Sequence, residues 1–270
     1  MRVLLLRGAL LFLLLGIARP SHGQTLWTRP YQPNQIALEW VVPTFEDEPV
    51  ETLTSAAFLT ATRSLTDNVE LVGELPVAYY AADAGGGTIT TSAVGNPYLG
   101  VGLSSTTTPF LFELGVRLPA APDNEASFAG TIANAGRGTA FRHDAVTVSA
   151  LLNWRFAFSR RTSLRIQTGG AFSSYPDSSD ATVSDVRLRY GVQLWRMGNP
   201  ILLGLTSTGR ISFEQGDAFA ANTRHSLAGS VMLDSDAVQP GLLVGIALDG
   251  DVRDVASFFV GVTLSMSYAE

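Results

Sequence analysis

The chain has 270 residues, of which 46% are hydrophobic and 16% are charged, and it contains no cysteine. Its 24 acidic residues outnumber 18 basic ones, which gives a formal net charge of −6. The lack of cysteine excludes a disulfide scaffold. The acidic balance argues against a nucleic-acid partner, because nucleic-acid binders carry basic patches.

Residues 1–23 predict a secretory signal peptide. Arg2 and Arg7 flank a short apolar run that continues from Ala9 to Ile17, and small residues before a break after Gly23 provide a cleavage site. The run is too short for a membrane-spanning helix, which needs about 20 residues. We therefore expect the signal peptide to be removed, leaving one domain over residues 24–270.

Runs of alternating polarity recur through the rest of the chain. Successive side chains of a strand point to opposite faces, and a membrane β-strand needs roughly 9–11 residues with one apolar face. In the final run Phe258, Val260 and Val262 share one face, while the intervening residues are mostly small or polar. The predicted strands are 35–41, 53–63, 69–81, 97–104, 110–118, 145–158, 163–172, 183–195, 201–211, 224–233, 241–248 and 256–268.

This pattern predicts an all-β protein, an antiparallel outer-membrane β-barrel of about 12 strands. An even strand number, long outer loops and short periplasmic turns are typical of such barrels. Here the longer connections mostly follow odd-numbered strands, so both termini would be periplasmic. The final strand would close the sheet against residues 35–41. A secreted β-sandwich or soluble barrel is the alternative, but it has no reason to keep this alternation of loop lengths.

Charged residues in the clearer strands fall on the face opposite to the apolar one. A charge facing lipid at mid-depth would cost about 2–4 kcal/mol, so this face should be the lumen. Aromatic residues near strand ends, such as Trp40, Tyr79 and Phe172, would form interfacial girdles. The candidate lumen- or pore-lining residues are Glu39, Glu70, Glu74, Glu113, Arg117, Arg155, Arg165, Arg187, Arg189 and Arg210.

Two interpretations of these lumenal charges remain open. They could pair in a structural network that fills and stiffens the barrel, or they could form a charged pathway that selects solutes. The excess of arginine over glutamate predicts a weak preference for anions in any pore. Small lumenal residues, among them Gly100, Gly169 and Gly245, predict free space inside.

The longest connection, residues 119–143, also has two interpretations. In general porins the loop at this place folds into the lumen, where Asp123, Asn124, Glu125, Arg137 and Arg142 would narrow a pore. It could equally be a mobile surface loop.

The sequence offers little support for catalysis or metal binding, and we expect neither enzyme activity nor a cofactor. After the signal peptide the histidines are His143 and His225, and no Gly-x-Ser-x-Gly nucleophile motif is present. No cluster of His or Cys provides metal ligands. The acidic residues of 46–51 are typical of a solvated loop.

Three phrases resemble a known family: 69–77 (VELVGELPV), 94–101 (VGNPYLGV) and 112–119 (FELGVRLP). Their order is similar to that in the outer-membrane transporters associated with meta-pathway phenol degradation. The resemblance covers roughly residues 35–120. It implies a barrel for the passage of small, often aromatic or hydrophobic compounds, and it implies no catalytic residues.

The sequence thus predicts a porin-like protein of the Gram-negative cell outer membrane, a channel or transporter for passive passage of small solutes. The alternative is a closed structural barrel whose surface loops bind a partner. Outer-membrane lipid and the barrel-assembly machinery are the expected partners, and the solute is not readable. That machinery often reads a C-terminal aromatic residue, whereas here Tyr268 is followed by Ala269 and Glu270.

Overall fold

The computed structural model of the chain describes residues 34–45, 52–83, 87–104, 109–133, 135–176, 182–213, 223–235, 238–249 and 256–268. The predicted signal peptide and the acidic loop 46–51 lie outside the described residues.

Thirteen β-strands and one α-helix make up the described regular structure, together with a 3-10 segment at Ala135–Ala140. The strands are β1 Gln35–Phe45, β2 Thr52–Thr66, β3 Val69–Asp83, β4 Thr88–Val94, β5 Tyr98–Ser104, β6 Phe110–Arg117, β7 Val146–Ser159, β8 Thr162–Pro176, β9 Thr182–Met197, β10 Ile201–Ser212, β11 Thr223–Leu233, β12 Gln239–Ala247 and β13 Ala256–Ser267. The helix, α1, is Glu125–Ala133. Among the described residues no helix is long and apolar enough to cross a membrane.

The strands close into an antiparallel barrel of twelve wall positions. β1 pairs with β13, with Leu38 opposite Leu264, as predicted for the closing strand. β5 pairs with the first part of β3, from Val69 to Glu74, and β4 pairs with the last part of the same strand. These two short strands together occupy one place in the wall, so the predicted twelve-stranded barrel is confirmed.

The predicted strands 69–81 and 97–104 leave residues 82–96 out of the sheet as a connection, and this is wrong, because β4 lies within them. Each residue of β4 pairs with one of Val77–Asp83. The run Thr-Ile-Thr-Thr-Ser has β-branched side chains that favour a strand, but it lacks the apolar face by which the other strands were recognised. The preceding glycines add a turn signal that dominates the pattern.

The two faces of the wall divide as the alternation predicts. On the outer face apolar side chains are exposed, with Leu38 at 42% and Val262 at 48%. On the inner face Glu39 and Arg117 are almost fully buried. The predicted girdle residues Trp40, Tyr79 and Phe172 are all exposed. This is the distribution required of a barrel whose outside meets hydrocarbon and whose inside is polar.

The long connection between β6 and β7 lies inside the barrel. α1 packs against β2, β3 and β4, and Ala126 and Ala133 join a buried cluster with Ala78 on the inner face of β3. A Cβ atom at Gly130 would lie 2.7 Å from the Phe141 ring, so the helix approaches as closely as it does because of this glycine. Of the two interpretations of this connection, the structure agrees with the inward one.

The inward connection lies beside the end of the wall at β4. β6 ends at Arg117 and β7 begins at Val146. Among the described strands β4 has only β3 as a neighbour. The connection contacts β4 directly, since Asn124 Nδ2 donates to the carbonyl of Ser92 at 3.4 Å.

Much of the space expected from small lumenal residues is filled. A Cβ atom at Gly245 would lie 2.2 Å from the Phe259 ring, and one at Gly100 would lie 2.8 Å from the Tyr98 ring. A Cβ atom at Gly169 would lie 2.6 Å from the Leu151 side chain. Each of these glycines accommodates a large neighbouring side chain, so the prediction of free space at these positions is wrong.

Candidate functional site: the barrel lumen

The inward connection is held at both ends by Asn96, which is fully buried between β4 and β5. Its Oδ1 accepts hydrogen bonds from the backbone N–H groups of Ala120 and Ala121 at 2.8 and 2.9 Å. Its Nδ2 donates to the carbonyls of Thr139 and Arg142 at 3.1 and 2.7 Å. One amide side chain thus satisfies four backbone groups of the loop. We call the contacts of this residue the Asn96 clasp.

The preceding Gly95 allows the returning chain to reach this position. A Cβ atom there would lie 2.3 Å from the carbonyl oxygen of Ala140. The Gly-Asn-Pro sequence at residues 95–97 therefore has two roles. It separates β4 from β5, and it contacts the returning loop.

Arg137 forms a second contact, which connects the loop to β1 and β3. Its Nη2 donates to Glu39 Oε2 at 3.1 Å, and its Nε lies 3.8 Å from Glu74 Oε2. The guanidinium carbon is 4.2 Å from the centroid of the Phe58 ring. Arg117 Nη2 donates to the other oxygen of Glu74 at 2.5 Å. These groups can be buried because their opposite charges compensate one another.

Two further pairs complete the packing around the loop. The Tyr98 hydroxyl donates to Glu113 Oε1 at 2.6 Å. Asp185 Oδ2 accepts from Arg142 Nη1 and from Arg187 Nη2, both at 2.5 Å. The loop is thereby connected to β9 as well as to β1 and β3.

The sequence analysis did not identify Tyr98, Asn96 or Asp185 as site residues. Tyr98 and Asp185 lie on the lumenal parity of their strands, and this parity was the available signal. Tyr98 extends over Gly115 of β6, since a Cβ atom at Gly115 would lie 2.1 Å from the Tyr98 hydroxyl oxygen. Asn96 lies between strands, where the alternation gives no information.

The remaining predicted lumenal residues lie elsewhere inside the barrel. Arg165 donates through Nε and Nη2 to Asn153 Oδ1 at 2.9 and 2.7 Å, and Gln167 donates to the same oxygen. Glu70 is fully buried on β3, and Arg155 lies on β7 opposite Arg165. Neither residue belongs to the group around the loop.

A cavity of about 100 Å³ lies between the loop and strands β9–β13. Arg189, Arg210 and Arg224 border it, as do Leu243 and Phe259. Arg189 and Arg210 also border a smaller cavity, on whose lining Tyr98 and Arg117 lie. Gly136 of the loop also borders both cavities.

The two histidines have separate surroundings. His225 Nε2 is 2.5 Å from the Tyr190 hydroxyl, and its Nδ1 is 2.9 Å from Asp249 Oδ1. His143 Nδ1 is 3.1 Å from the carbonyl oxygen of Ala121. In the described part of the chain no three His, Cys, Asp or Glu side chains are grouped as metal ligands.

Comparison with known proteins supports the fold. No family model matches the sequence, and no curated protein sequence matches it. The solved NanC porin aligns with a TM-score of 0.57 at 6% identity, covering 86% of this chain and 100% of that one. The COG4313 outer membrane channel from Pseudomonas putida F1 gives 0.58 at 13% identity, covering 91% and 99%. LpxR from Salmonella typhimurium gives 0.53 at 9% identity, covering 87% and 100%.

At these identities the likeness concerns the fold. The closed twelve-stranded wall, its apolar outer face and its buried lumenal charges are those of an outer-membrane β-barrel, and the cell outer membrane is accordingly the location of this protein.

Proposed function

We propose that the protein is a passive channel for small solutes, and that apolar or aromatic compounds are among them. The observation that carries this proposal is the cavity between the inward loop and β9–β13, which leaves one side of the lumen unfilled. Twelve-stranded barrels lie between small barrels filled by side chains and large open porins. A loop that occupies one side of the lumen is a simple way to set the bore of such a barrel.

Apolar solutes are supported by the apolar wall that Leu243 and Phe259 give the cavity. The sequence resemblance to transporters associated with phenol degradation points to the same class. The solved structure from Pseudomonas putida with a similar fold is described as a channel.

The test is single-channel conductance of the purified protein in planar bilayers, for the native chain and for a variant lacking residues 124–136. We expect small conductance steps from the native chain and larger steps from the variant, because the deletion removes α1 from the lumen. Heat-modifiable mobility on gels checks that both barrels are assembled. Equal conductance of the two assembled proteins would show that the loop does not set the bore.

The second candidate, a closed structural barrel with partner-binding outer loops, is favoured by the burial of Arg137 between Glu39 and Glu74. A lumen sealed by such pairs would conduct no ions. Absence of steps from both assembled proteins would contradict the channel and support this candidate.

A further inference from the structure

The cavity beside the loop has one charged side, and that side is entirely basic. Arg189, Arg210 and Arg224 border it from adjacent strands, and no Asp or Glu is among the described residues of its lining. Arg210 and Arg224 are directly opposite each other in the β10–β11 ladder, and Arg210 is also opposite Arg189. The neighbouring strands β9, β10 and β11 thus each place one arginine in the same row across the sheet.

These guanidinium groups repel one another. Arg210 lies in the fields of Arg187, Arg189 and Arg224. Arg189 lies in the fields of Arg117 and Arg137. Repulsion between like charges is strong where water is partly excluded, so an anion placed among these groups would be held firmly.

Two described lumenal acids are engaged with arginines outside this row. Glu74 is the carboxylate that attracts Arg189, but it already pairs with Arg117 and Arg137. Asp185 pairs with Arg142 and Arg187.

The other side of the cavity is apolar. Leu243 is 2% exposed and belongs to a buried cluster with Val41 and Ala228, against which Phe259 packs. The Phe259 ring lies over Gly245, where a Cβ atom would approach it to 2.2 Å. Because Gly245 has no side chain, the ring has room to lie in this position.

We propose that this cavity binds a small organic monoanion, a carboxylate with an apolar or aromatic body. Guanidinium groups bind carboxylates through two parallel hydrogen bonds, and Arg189 and Arg210 are placed to supply them. The apolar body lies against Leu243 and Phe259. The proposal rests on the proposed channel function and names its solute class, for which the cavity is the selective site.

Calorimetric titration of the full-length protein in detergent tests the ligand class with three probes. Benzoate carries both the ring and the carboxylate, benzyl alcohol carries the ring alone, and acetate carries the charge alone. We expect benzoate to bind at least about tenfold more tightly than either of the others. Equal affinity for benzyl alcohol or for acetate would overturn the proposal, and so would the absence of benzoate binding.

Substitutions locate the site. Arg210→Gln and, independently, Arg224→Gln should each weaken benzoate binding by about tenfold. Arg196→Gln, which changes an exposed arginine at the far end of β9, is the matched control and should bind as the native chain does. Equal losses in all three assembled variants, or none in the first two, would contradict the assignment. Heat-modifiable gel mobility identifies any variant that does not assemble. If Arg210→Gln or Arg224→Gln fails to assemble, the other of the two variants provides the test.

Bilayer recordings separate this inference from the channel function. Conductance steps in potassium chloride test the channel without any organic ligand. If benzoate neither blocks the conductance steps nor carries current itself, the channel function stands and the proposed solute class is overturned. Benzoate binding without any conductance would overturn the channel function and retain the anion site.

Discussion

The two sides of the lumen use arginine in opposite ways. On the side of β1–β6, Arg117 and Arg137 are buried against Glu39 and Glu74, and the rings of Phe58 and Phe141 pack beside them. On the side of β9–β13, arginines border a cavity that has no described carboxylate on its lining. The difference arises from the loop, which enters beside β4 and packs its helix α1 against β2, β3 and β4. The same residue type therefore forms buried ion pairs on one side and borders a cavity on the other.

The filled side should be the more sensitive to loss of charge. Glu74→Ala removes the carboxylate shared by Arg117 and Arg137, leaving buried cations less compensated. We expect a loss of about 3–5 kcal/mol in the free energy of unfolding, measured by urea titration of the protein folded in lipid vesicles. Glu125→Gln, at the exposed start of α1, is the control. A loss below about 1 kcal/mol for Glu74→Ala would show that water compensates these arginines.

A matched pair of aromatic truncations compares packing on the two sides. Phe58 is fully buried and its ring lies 5.9 Å from that of Phe141, whereas Phe259 is only half-buried beside the cavity. Phe58→Ala should cost about 3–5 kcal/mol, and Phe259→Ala clearly less, since its site already borders empty space. The same urea titration measures both. Equal costs would mean that the cavity side is as tightly packed as the loop side.

Release of the loop should make the two sides more alike. Asn96→Ala removes the Asn96 clasp, at a cost of about 1–3 kcal/mol for each backbone group left buried and unsatisfied. We expect the connection to leave the lumen in part of the molecules, which would raise single-channel conductance and open the loop to protease. Asn124→Ala removes the α1 cap to Ser127 N–H and one long hydrogen bond, 3.4 Å, to the Ser92 carbonyl, but it leaves the Asn96 clasp intact and should change neither readout.

The smallest expected effect concerns ion selectivity. Arginines at the cavity should make the channel weakly anion-selective, and Arg210→Gln should reduce this preference. Reversal potentials in a potassium chloride gradient measure it. Cation preference in the native chain would contradict the anion pathway.

The alternation of polarity was sufficient to predict the barrel, because side-chain parity is a local property of each strand. The ten lumenal charges were identifiable for the same reason, although a role for them in solute passage stays a prediction. The partners of these charges were not identifiable, since Arg137 and Glu39 are 98 residues apart in sequence. The direction of the loop was left open because Ala126, Ala129 and Gly130 give α1 no clear apolar stripe. These small residues pack closely once a wall is available.

The Asn96 clasp has a consequence for the order of assembly. Its partners lie 24 to 46 residues further along the chain, so the loop can dock once the wall through β6 has formed. The β1–β13 seam joins the two ends of the chain and depends on strands that come later. A loop that docks on an open sheet is enclosed when that seam forms, and it never has to thread into a finished barrel.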